Sequence, residues 1–263
     1  MEIRPPHKPN YPALAEMLTR ATGQDFSAEG LAGKVMADQH FDPNLVFMAR
    51  EKGETLGFLA TVLEAENAWI KMVAVDPSRR RQGLAREMIE RAQERLFGEG
   101  ARMMRAGFGP GPLFSPGVPE GAAADFFSAI GYASEPGGLL AVMDEAGAEA
   151  PPPLAEKARE LMKGAPLWWS EVEERLSFKV PRLGMSADGK ALCLADPGLG
   201  VGPLFCSDEA SAAEAVRAAL GLAGTGRRLA DFRPASWWQS RFGLSSIVNC
   251  FEFKKDLRGV SHA

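Results

Sequence analysis

The sequence predicts an α/β fold of the α+β type, in which helices flank a mixed, mostly antiparallel sheet, and it predicts that this architecture occurs twice in tandem. Two β-rich runs at residues 44–50 and 55–63 are separated by Glu51-Lys52-Gly53-Glu54, which is typical of a hairpin turn. A further β-rich run at residues 68–75 leads through a basic turn into apolar residues at helical spacing. A similar order of elements returns in the second half of the chain.

The other elements of the first half follow from periodicity and from residues that favour turns. Residues 25–39 predict a helix with Ser27 as a suitable N-cap. Residues 101–107 predict a fifth strand, and residues 122–130 predict a short helix. Residues 139–143 can then close the first sheet.

The segment after residue 75 brings a row of backbone amides to the start of a helix. The first turn of a helix leaves N–H groups without intrahelical partners and carries about half a positive charge, so it attracts phosphate. Gly83 allows a ligand to approach the backbone, and Arg79, Arg80 and Arg81 add positive charge. The alternative is an ordinary strand–turn–helix with a solvated arginine cluster. The apolar face of the predicted helix consists of Leu84, Met88, Ile89, Ala92 and Leu96.

Two landmarks in the first half resemble a known family. Arg80-x-x-Gly83-x-Ala85, after a Val-Ala-Val-Asp-Pro strand, resembles the acetyl-coenzyme A signature of the GNAT N-acetyltransferase superfamily, Gln/Arg-x-x-Gly-x-Gly/Ala. Residues 126–132 are similar to its second landmark, an aromatic helix that ends in Leu-Gly-Phe. The resemblance covers residues 1 to about 145 and implies the GNAT fold, with residues 2–6 as the opening strand and residues 11–18 as the first helix.

The resemblance also implies how the acetyl donor is bound. The strand edge at residues 72–75 would pair with the pantetheine arm, and a backbone N–H of this edge would stabilise the oxyanion. The helix start would bind the diphosphate, mostly through main-chain amides. The implied cofactor contacts are Met72, Val73, Ala74, Val75, Arg80, Arg81, Gln82, Gly83, Leu84, Ala85, Arg86 and Phe127.

The catalytic side chains depart from the family pattern. Phe127 stands where many members have a tyrosine that protonates the leaving thiolate, and Glu120 stands where an asparagine often contacts the cofactor. Tyr132 and Ser128 are candidate substitutes for the acid, although Tyr132 fits better as the aromatic residue that packs after the glycine. The candidate general bases, each with a solvated carboxylate as the alternative, are Glu64, Glu66 and Glu120. The predicted catalytic residues are Glu66, Glu120 and Tyr132.

A long loop at residues 107–119, rich in glycine and proline, is predicted between the fifth strand and the aromatic helix. It would lie where an acceptor enters, and the alternative is a rigid connector. Phe108, Phe114 and the pair Trp168-Trp169 are candidates for an apolar acceptor pocket, with core packing as the alternative.

The second half looks like a copy of the first half that has lost the phosphate turn. Residues 146–153 form a linker by composition, so the predicted domains are 1–145 and 154–263, and residues 247–254 would close the second sheet. The segment that corresponds to the phosphate turn, residues 206–211, has no glycine and no arginine. Its acidic residues would repel a diphosphate and suit helix capping instead. We therefore assign cofactor binding to the first domain alone.

The composition is that of an ordinary globular protein. The chain has 263 residues, of which 46% are hydrophobic and 24% charged, and its net charge of −4 offers no broad basic face to a nucleic acid. No apolar run approaches the roughly 20 residues that span a bilayer, and the start lacks the apolar core of a secretory signal. The cysteines and histidines form neither a disulfide nor a zinc pattern. We therefore expect a cytoplasmic protein with no metal, no membrane partner and no nucleic-acid partner.

The predicted function is transfer of an acetyl group from acetyl-coenzyme A, as cosubstrate, to a primary amine of a small molecule or peptide by direct attack. The alternative is a non-catalytic acyl-coenzyme A sensor or interaction module. A third possibility is a purely structural double domain. The expected assembly is a monomer or a homodimer.

Overall fold

The computed structural model describes residues 1–5, 10–23, 26–29, 31–32, 40–107, 117–143, 147–149, 155–163, 182–196, 200–223, 228–231, 233 and 235–259. The chain divides into two compact units that are interleaved along the sequence. Unit 1 consists of Met1–Gly109, Phe127–Ala133 and Phe253–Ala263, and unit 2 consists of Pro110–Phe126 and Ser134–Glu252. The limits 1–145, 146–153 and 154–263 describe stretches of sequence and stay a prediction.

Unit 1 is built on a mixed sheet in which one neighbouring pair, β4 with β5, is parallel and the other pairs are antiparallel. This arrangement confirms the predicted mixed, mostly antiparallel sheet. The strands, in their order across the sheet, are β1 (Glu2–Arg4), β2 (Val46–Glu51), β3 (Glu54–Glu64), β4 (Asn67–Val75), β5 (Met103–Ala106) and the end of β12 (Leu244–Asp256).

Helix α1 (Tyr11–Thr22) covers part of one face of this sheet. The Asn10 side chain caps it by accepting a hydrogen bond from the Ala13 N–H, and Gly23 ends it in the left-handed conformation that favours glycine. Its buried residues Leu14, Met17 and Leu18 pack in one apolar cluster with residues of β2 and β3. The helix predicted at residues 25–39 lies largely outside the described residues.

Helix α2 (Leu84–Gly98) covers the opposite face. All five apolar positions of its predicted face, Leu84, Met88, Ile89, Ala92 and Leu96, are buried. Gly57 of β3 allows this close packing, because a Cβ at that position would lie 2.9 Å from the methyl carbon of Met88. The helix that begins at the basic turn is therefore held against the sheet by its full apolar stripe.

Helix α3 (Ala122–Ala129) and the residues after it bring aromatic side chains into unit 1. The Phe127 ring stacks on Phe253, and the Tyr132 ring meets Phe127 edge-on, with centroid distances of 5.4 Å in both pairs. Lys255 donates a hydrogen bond to the Ile130 carbonyl oxygen and lies over the Tyr132 ring. These contacts tie β12 to the segment that follows α3.

Unit 2 repeats the plan of unit 1. Parallel strands β10 (Gly200–Cys206) and β11 (Arg228–Asp231) are connected through helix α5 (Ala212–Ala223), just as β4 and β5 are connected through α2. Each of these two strands pairs on its other side with an antiparallel strand. The repeat confirms the predicted tandem architecture. Its elements are β6 (Val118–Pro119), β7 (Ala133–Met143), α4 (Ala155–Leu161), β8 (Arg182–Met185), β9 (Ala191–Asp196), β10 (Gly200–Cys206), α5 (Ala212–Ala223), β11 (Arg228–Asp231), α6 (Ala235–Gln239) and the first part of β12.

The strands that close the two sheets differ from the prediction. Residues 139–143, expected to close the first sheet, belong to β7 and pair with β11 of unit 2. The strand expected at residues 247–254 is β12, and its residues from Phe253 to Asp256 pair with β5 of unit 1. Both segments are β-rich, and the strand pattern alone does not specify which open edge each one joins.

Among the described residues, no helix is both long enough and apolar enough to cross a lipid bilayer.

Replacing Phe253 with alanine should lower the free energy of unfolding by about 3–5 kcal/mol, because a buried ring is removed from the aromatic cluster of unit 1. Urea unfolding followed by circular dichroism measures this change. The exposed Ser246 lies on the same strand, so Ser246→Ala serves as the control and should change the free energy of unfolding by less than about 0.5 kcal/mol. Equal stability of Phe253→Ala and wild type would contradict the pairing of β12 with unit 1.

Candidate functional site

The candidate site starts where β4 continues beyond its partner β5. The last pair between the two strands is Ile70 with Ala106, whereas β4 continues to Val75. The Asp76 N–H donates to the Leu56 carbonyl oxygen of β3, so strand alternation directs the peptide groups of Val73 and Val75 away from β3. Within the described ranges, no strand pairs with this edge of β4 beyond Ile70. Residues 72–75 therefore form a strand edge that has no neighbouring strand among the described residues.

A β-bulge marks the point where the two strands separate. Ala60 pairs with Met72 and Thr61 pairs with Ile70, so Lys71 is an extra residue on β4. A bulge bends its strand and increases the local twist. The bulge thus bends the end of β4 away from β5. The position of the bulge at Lys71 was not predicted from the sequence.

The turn after β4 is organised by one carboxylate. Asp76 is only 8% exposed, and its Oδ1 accepts hydrogen bonds from the Ser78 N–H at 3.0 Å and the Ser78 hydroxyl at 2.7 Å. Its Oδ2 accepts hydrogen bonds from Arg20 Nε at 3.0 Å and Nη2 at 2.9 Å. Asp76 therefore connects the short 3-10 turn Pro77–Arg79 to the end of α1.

The ionised state of Asp76 is favoured in the folded protein. Burial acts to raise the pKa of this carboxyl group, but the hydrogen bonds from Ser78 and the hydrogen bonds and charge of Arg20 outweigh it and lower the pKa below its usual value. Asp76 followed by Pro77 and Ser78 is a recognisable turn sequence. Arg20, which lies 56 residues earlier, could not be paired with it from the sequence.

The backbone around Gly83 leaves the start of α2 open. Gly83 is the N-cap residue with φ 81°, and no side chain caps this helix. An added Cβ at Gly83 would have no atom within 4 Å, so the space in front of the helix start is unfilled. Arg81 also has a positive φ of 60°. The N–H groups of residues 83–86 therefore face a concave turn without a side-chain acceptor, which is a geometry that suits an anion.

The arginine side chains of the turn serve mainly to hold it in place. Arg80 donates to the carbonyl oxygens of Val75 and Ala21. Arg79 forms an ion pair with Glu51, and Arg86 pairs with Glu90 at 2.8 Å. Arg81 is exposed at the turn. An anion at this turn would therefore meet mainly main-chain amides, because Arg80 and Arg86 have partners of their own within the protein.

Two of the predicted catalytic residues do not fit the strand edge. Glu66 lies in the turn before β4, and six residues of strand, about 20 Å, separate it from Met72. Tyr132 is 4% exposed, its hydroxyl group accepts a hydrogen bond from Gln93 at 2.9 Å, and burial raises the pKa of this hydroxyl. Glu66 is therefore too distant to act as a base at this edge, and Tyr132 has the geometry of a packing residue.

The remaining predictions concern Phe127, Glu120 and the loop. Phe127 is buried in the aromatic cluster, which argues for packing rather than for cofactor contact. Glu120 belongs to unit 2, where Asn249 Nδ2 donates to its Oε2 at 3.4 Å. Residues 108–116 and the pair Trp168-Trp169 lie outside the described residues. Among the residues that are described, no group of three or more His, Cys, Asp or Glu side chains could hold a metal ion.

The corresponding turn of unit 2 is capped by its own side chain. Asp208 accepts a hydrogen bond from the Ala210 N–H at 3.0 Å, as the sequence predicted. Glu209 does not cap this turn; it pairs with Arg241 and accepts a hydrogen bond from the Trp237 indole N–H at 3.1 Å. In unit 2 this capped turn runs directly into α5 at Ala212, whereas in unit 1 residues 80–83 separate the Asp76-capped turn from the uncapped start of α2.

The mixed sheet of unit 1 thus has a strand edge that leads into an uncapped helix start. Residues 12–109 match the model of the acetyltransferase (GNAT) family. The comparison with curated protein sequences gives no significant match.

Solved structures extend the likeness to the whole chain. A provisionally assigned acetyltransferase from Pyrococcus horikoshii has a TM-score of 0.69 at 13% identity, over 97% of this chain and 89% of that one. A tandem GNAT protein from the clavulanic acid biosynthesis pathway has a TM-score of 0.64 at 15% identity, over 99% of both chains. A GCN5-related N-acetyltransferase from Sphaerobacter thermophilus has a TM-score of 0.60 at 13% identity, over 97% and 95%. At these identities the likeness concerns the fold, which is that of a tandem GNAT protein.

Replacing Asp76 with asparagine should destabilise the protein at pH 7 and should reduce its acid sensitivity. Because folding lowers the pKa of Asp76, its ionisation contributes stability above the unfolded pKa of about 3.9 and loses that contribution as the pH falls through the lower folded pKa. Thermal denaturation of both proteins between pH 2 and pH 7 measures the difference. The difference in melting temperature between wild type and Asp76→Asn should be largest at pH 7 and should become smaller below about pH 4. A gap that is independent of pH would contradict this assignment.

Proposed function

We propose that the protein is an N-acetyltransferase that transfers the acetyl group of acetyl-coenzyme A to a primary amine of a small molecule or peptide. One observation carries the proposal: the free edge of β4 leads directly into a helix start that has open amides and no capping side chain. Acetyl-coenzyme A carries its thioester on a long amide-containing arm that ends in a diphosphate. The arm is complementary to the strand edge, and the diphosphate is complementary to the helix start that follows it. The GNAT family match supports the same conclusion.

The diphosphate would bind at the start of α2. The N–H groups of residues 83–86 supply hydrogen bonds, the helix dipole supplies partial positive charge, and Arg81 adds a full charge. The unfilled space next to Gly83 leaves room for phosphate oxygens to approach the backbone. The second helix start, capped by Asp208, would repel the same group. We therefore propose a single cofactor site, in unit 1.

The pantetheine arm would add to the free edge of β4. Val73 directs its N–H and C=O groups towards this edge, and Val75 directs its N–H there, so the amides of an extended ligand could pair with them; the Val75 carbonyl oxygen already accepts from Arg80. A backbone N–H near the bulge would then donate to the thioester oxygen and stabilise the negative charge that develops on it. With these contacts, the acetyl carbon would lie beside residues 71–73.

The transfer itself is a direct displacement. The neutral amine nitrogen attacks the acetyl carbon, the C–S bond breaks, the thiolate leaves, and the new amide nitrogen releases its proton to a base or to water. A thiol pKa of about 8.5 makes the thiolate a tolerable leaving group, so an acid is not essential. This point matters because Phe127 and Tyr132 are both buried in the aromatic cluster.

The second candidate function is binding of an acyl-coenzyme A without turnover. It is favoured by the packing of Phe127 and by the buried hydroxyl group of Tyr132, since neither residue offers an accessible acid. Release of free thiol in the presence of a broad panel of amines separates the two functions. Acetyl-coenzyme A binding without thiol release for any amine would favour the sensor.

The proposal also covers the cellular location, the assembly state and the partners of the protein. We infer a cytoplasmic protein, because its cysteines Cys193, Cys206 and Cys250 are free thiols. We expect it to work as a monomer or a homodimer, without nucleic-acid or membrane partners. The formal net charge of −4 supports the absence of a nucleic-acid partner.

Two isosteric substitutions at Gly83 test the cofactor site. Asparagine and aspartate both tolerate a positive φ and both act as N-caps, so Gly83→Asn and Gly83→Asp should both fold. Gly83→Asp places a carboxylate where the diphosphate would bind and should weaken acetyl-coenzyme A binding at least about 100-fold, with a smaller loss for Gly83→Asn. Isothermal titration calorimetry measures both affinities.

The matched control for this pair lies in unit 2. Ser207→Asp adds the same charge beside the capped turn and should leave cofactor binding unchanged. Equal affinity of wild type and Gly83→Asp would refute the proposed diphosphate site. Thermal melts of all the variants confirm that the fold is retained.

A further inference from the structure

Unit 2 contains a pair of diverging strands that corresponds to β4 and β5. β10 pairs in parallel with β11 at Val201 and Leu229, and in the described part of unit 2 these two strands share no later register pair. β10 nevertheless continues to Cys206 beside its antiparallel neighbour β9. It contains one extra residue relative to β9 between Val201 and Leu204, as β4 does at Lys71 relative to β3. Both units therefore have a strand that continues past its parallel partner after a bulge.

A buried aspartate lies between the diverging strands of unit 2. Asp231 is the last residue of β11, and its side chain is fully buried. Its Oδ2 accepts a hydrogen bond from the Leu204 N–H at 2.8 Å, and its Oδ1 accepts one from the Arg233 N–H at 2.8 Å. The amide that Leu204 directs towards β11 is therefore bound by a carboxylate of the protein itself.

Arg233 supplies the complementary donor. Its Nη1 donates to the Leu204 carbonyl oxygen at 2.6 Å and to the two carboxylate oxygens of Asp231 at 3.1 and 3.2 Å. Its Nη2 donates to Cys206 Sγ at 3.6 Å. Leu204 thus has its N–H bound by a carboxylate and its C=O bound by a guanidinium group. An extended ligand that added to this edge would make the same two kinds of contact through its own amides.

Further side chains connect this ion pair to the turn before α5. The guanidinium carbon of Arg233 lies 5.1 Å from the centre of the Trp237 ring, and that of Arg241 lies 4.3 Å from it. The Trp237 indole N–H donates to Glu209 at 3.1 Å, and Arg241 forms an ion pair with the same carboxylate. Glu209 belongs to the 3-10 turn that precedes α5. Contacts within unit 2 therefore run from the strand edge to the turn, the path that a cofactor would follow in unit 1.

The segment that follows β5 in unit 1 cannot form the same ion pair. Residues 107–119 contain neither an acidic nor a basic residue. In unit 2, Asp231 ends the corresponding strand and Arg233 follows two residues later. The two units therefore differ in the charged residues available where the parallel strands diverge.

We propose that Asp231 and Arg233 take the place of an extended ligand in unit 2, so that this unit keeps the strand geometry of an acyl-coenzyme A site but closes it with its own side chains. The comparison with a ligand arm rests on the proposed cofactor binding in unit 1. A ligand that entered the edge of β10 would have to break the ion pair and leave the buried Asp231 carboxylate without its cation, which is strongly unfavourable. Unit 2 is therefore closed to acyl-coenzyme A in the native protein, and removal of both side chains should open its edge.

Amide hydrogen exchange, measured by mass spectrometry with and without S-acetylpantetheine, tests this proposal. This compound carries the thioester and the amide arm without the nucleotide. In wild type it should slow exchange at residues 72–75 and leave residues 204–206 unchanged. In the double variant Asp231→Ala, Arg233→Ala, exchange at residues 204–206 should rise at least about 10-fold, and S-acetylpantetheine should slow it again.

Two further variants separate opening of the edge from general damage. Arg233→Met keeps an unbranched side chain of similar length but has no donor for Leu204, so it should also raise exchange at residues 204–206 and can be used if the double variant does not fold. Arg182 is another arginine of unit 2, and its Nη1 donates to the Leu222 carbonyl oxygen at 3.4 Å. Arg182→Met should exchange as wild type does at residues 204–206. Thermal melts establish which variants are folded.

The possible results distinguish this proposal from the proposed function. Protection of residues 204–206 by S-acetylpantetheine in wild type would overturn the closed cleft. Unchanged exchange at these residues in the folded variants that lack Arg233 would also overturn it, as would an opened edge in the double variant that S-acetylpantetheine does not protect. Lack of protection at residues 72–75 in wild type would instead contradict the cofactor site of unit 1, because the two segments are measured separately.

Discussion

The geometry of the candidate site depends on the point at which β4 and β5 cease to pair. Up to Ile70 and Ala106, the two strands satisfy each other's backbone groups. Beyond the bulge at Lys71, β4 continues towards Asp76 with peptide groups that have no strand beside them in the described part of the chain. Backbone N–H and C=O groups require partners, so an edge of this kind is suited to accept an extended ligand. Asp76 then fixes the turn that connects this edge to the amides at the start of α2.

Comparison of the two units separates the fold from the site. Both contain a parallel strand pair joined by a helix, and in both the helix follows a short 3-10 turn. An aspartate caps that turn in both units, because Asp76 accepts from the Ser78 N–H and Asp208 accepts from the Ala210 N–H. In unit 2 α5 begins directly after the turn, whereas in unit 1 residues 80–83 separate the turn from the uncapped start of α2. A helix start can be satisfied by its own cap or can remain available to a ligand. The units therefore differ in the segment between the capped turn and the helix, while the architecture around it is the same.

The sequence predicted the parts of the structure that depend on local patterns. The apolar stripe of α2, the hairpin before β3 and the open turn at Gly83 each follow from residues close together in the chain. Contacts between distant residues could not be predicted in this way. One case is the pairing of the end of β12, and not of residues 139–143, with β5. The ion pair between Arg20 and Asp76 is another. Glu66 was chosen by its nearness to β4 in sequence, but a strand of nine residues places its two ends far apart.

The pairing of β5 with β12 links the order of synthesis to the completion of unit 1. β5 leaves the ribosome when the chain has passed residue 106, but its partner segment begins at Phe253. During the intervening translation, the outer hydrogen-bonding groups of β5 stay without their native neighbour. An unpaired strand edge of this kind is a recognised starting point for aggregation. The nascent N-terminal segment thus exposes an unpaired edge of β5 until residues 253–256 have been synthesised. Protection by a chaperone is therefore most useful while unit 2 is being translated.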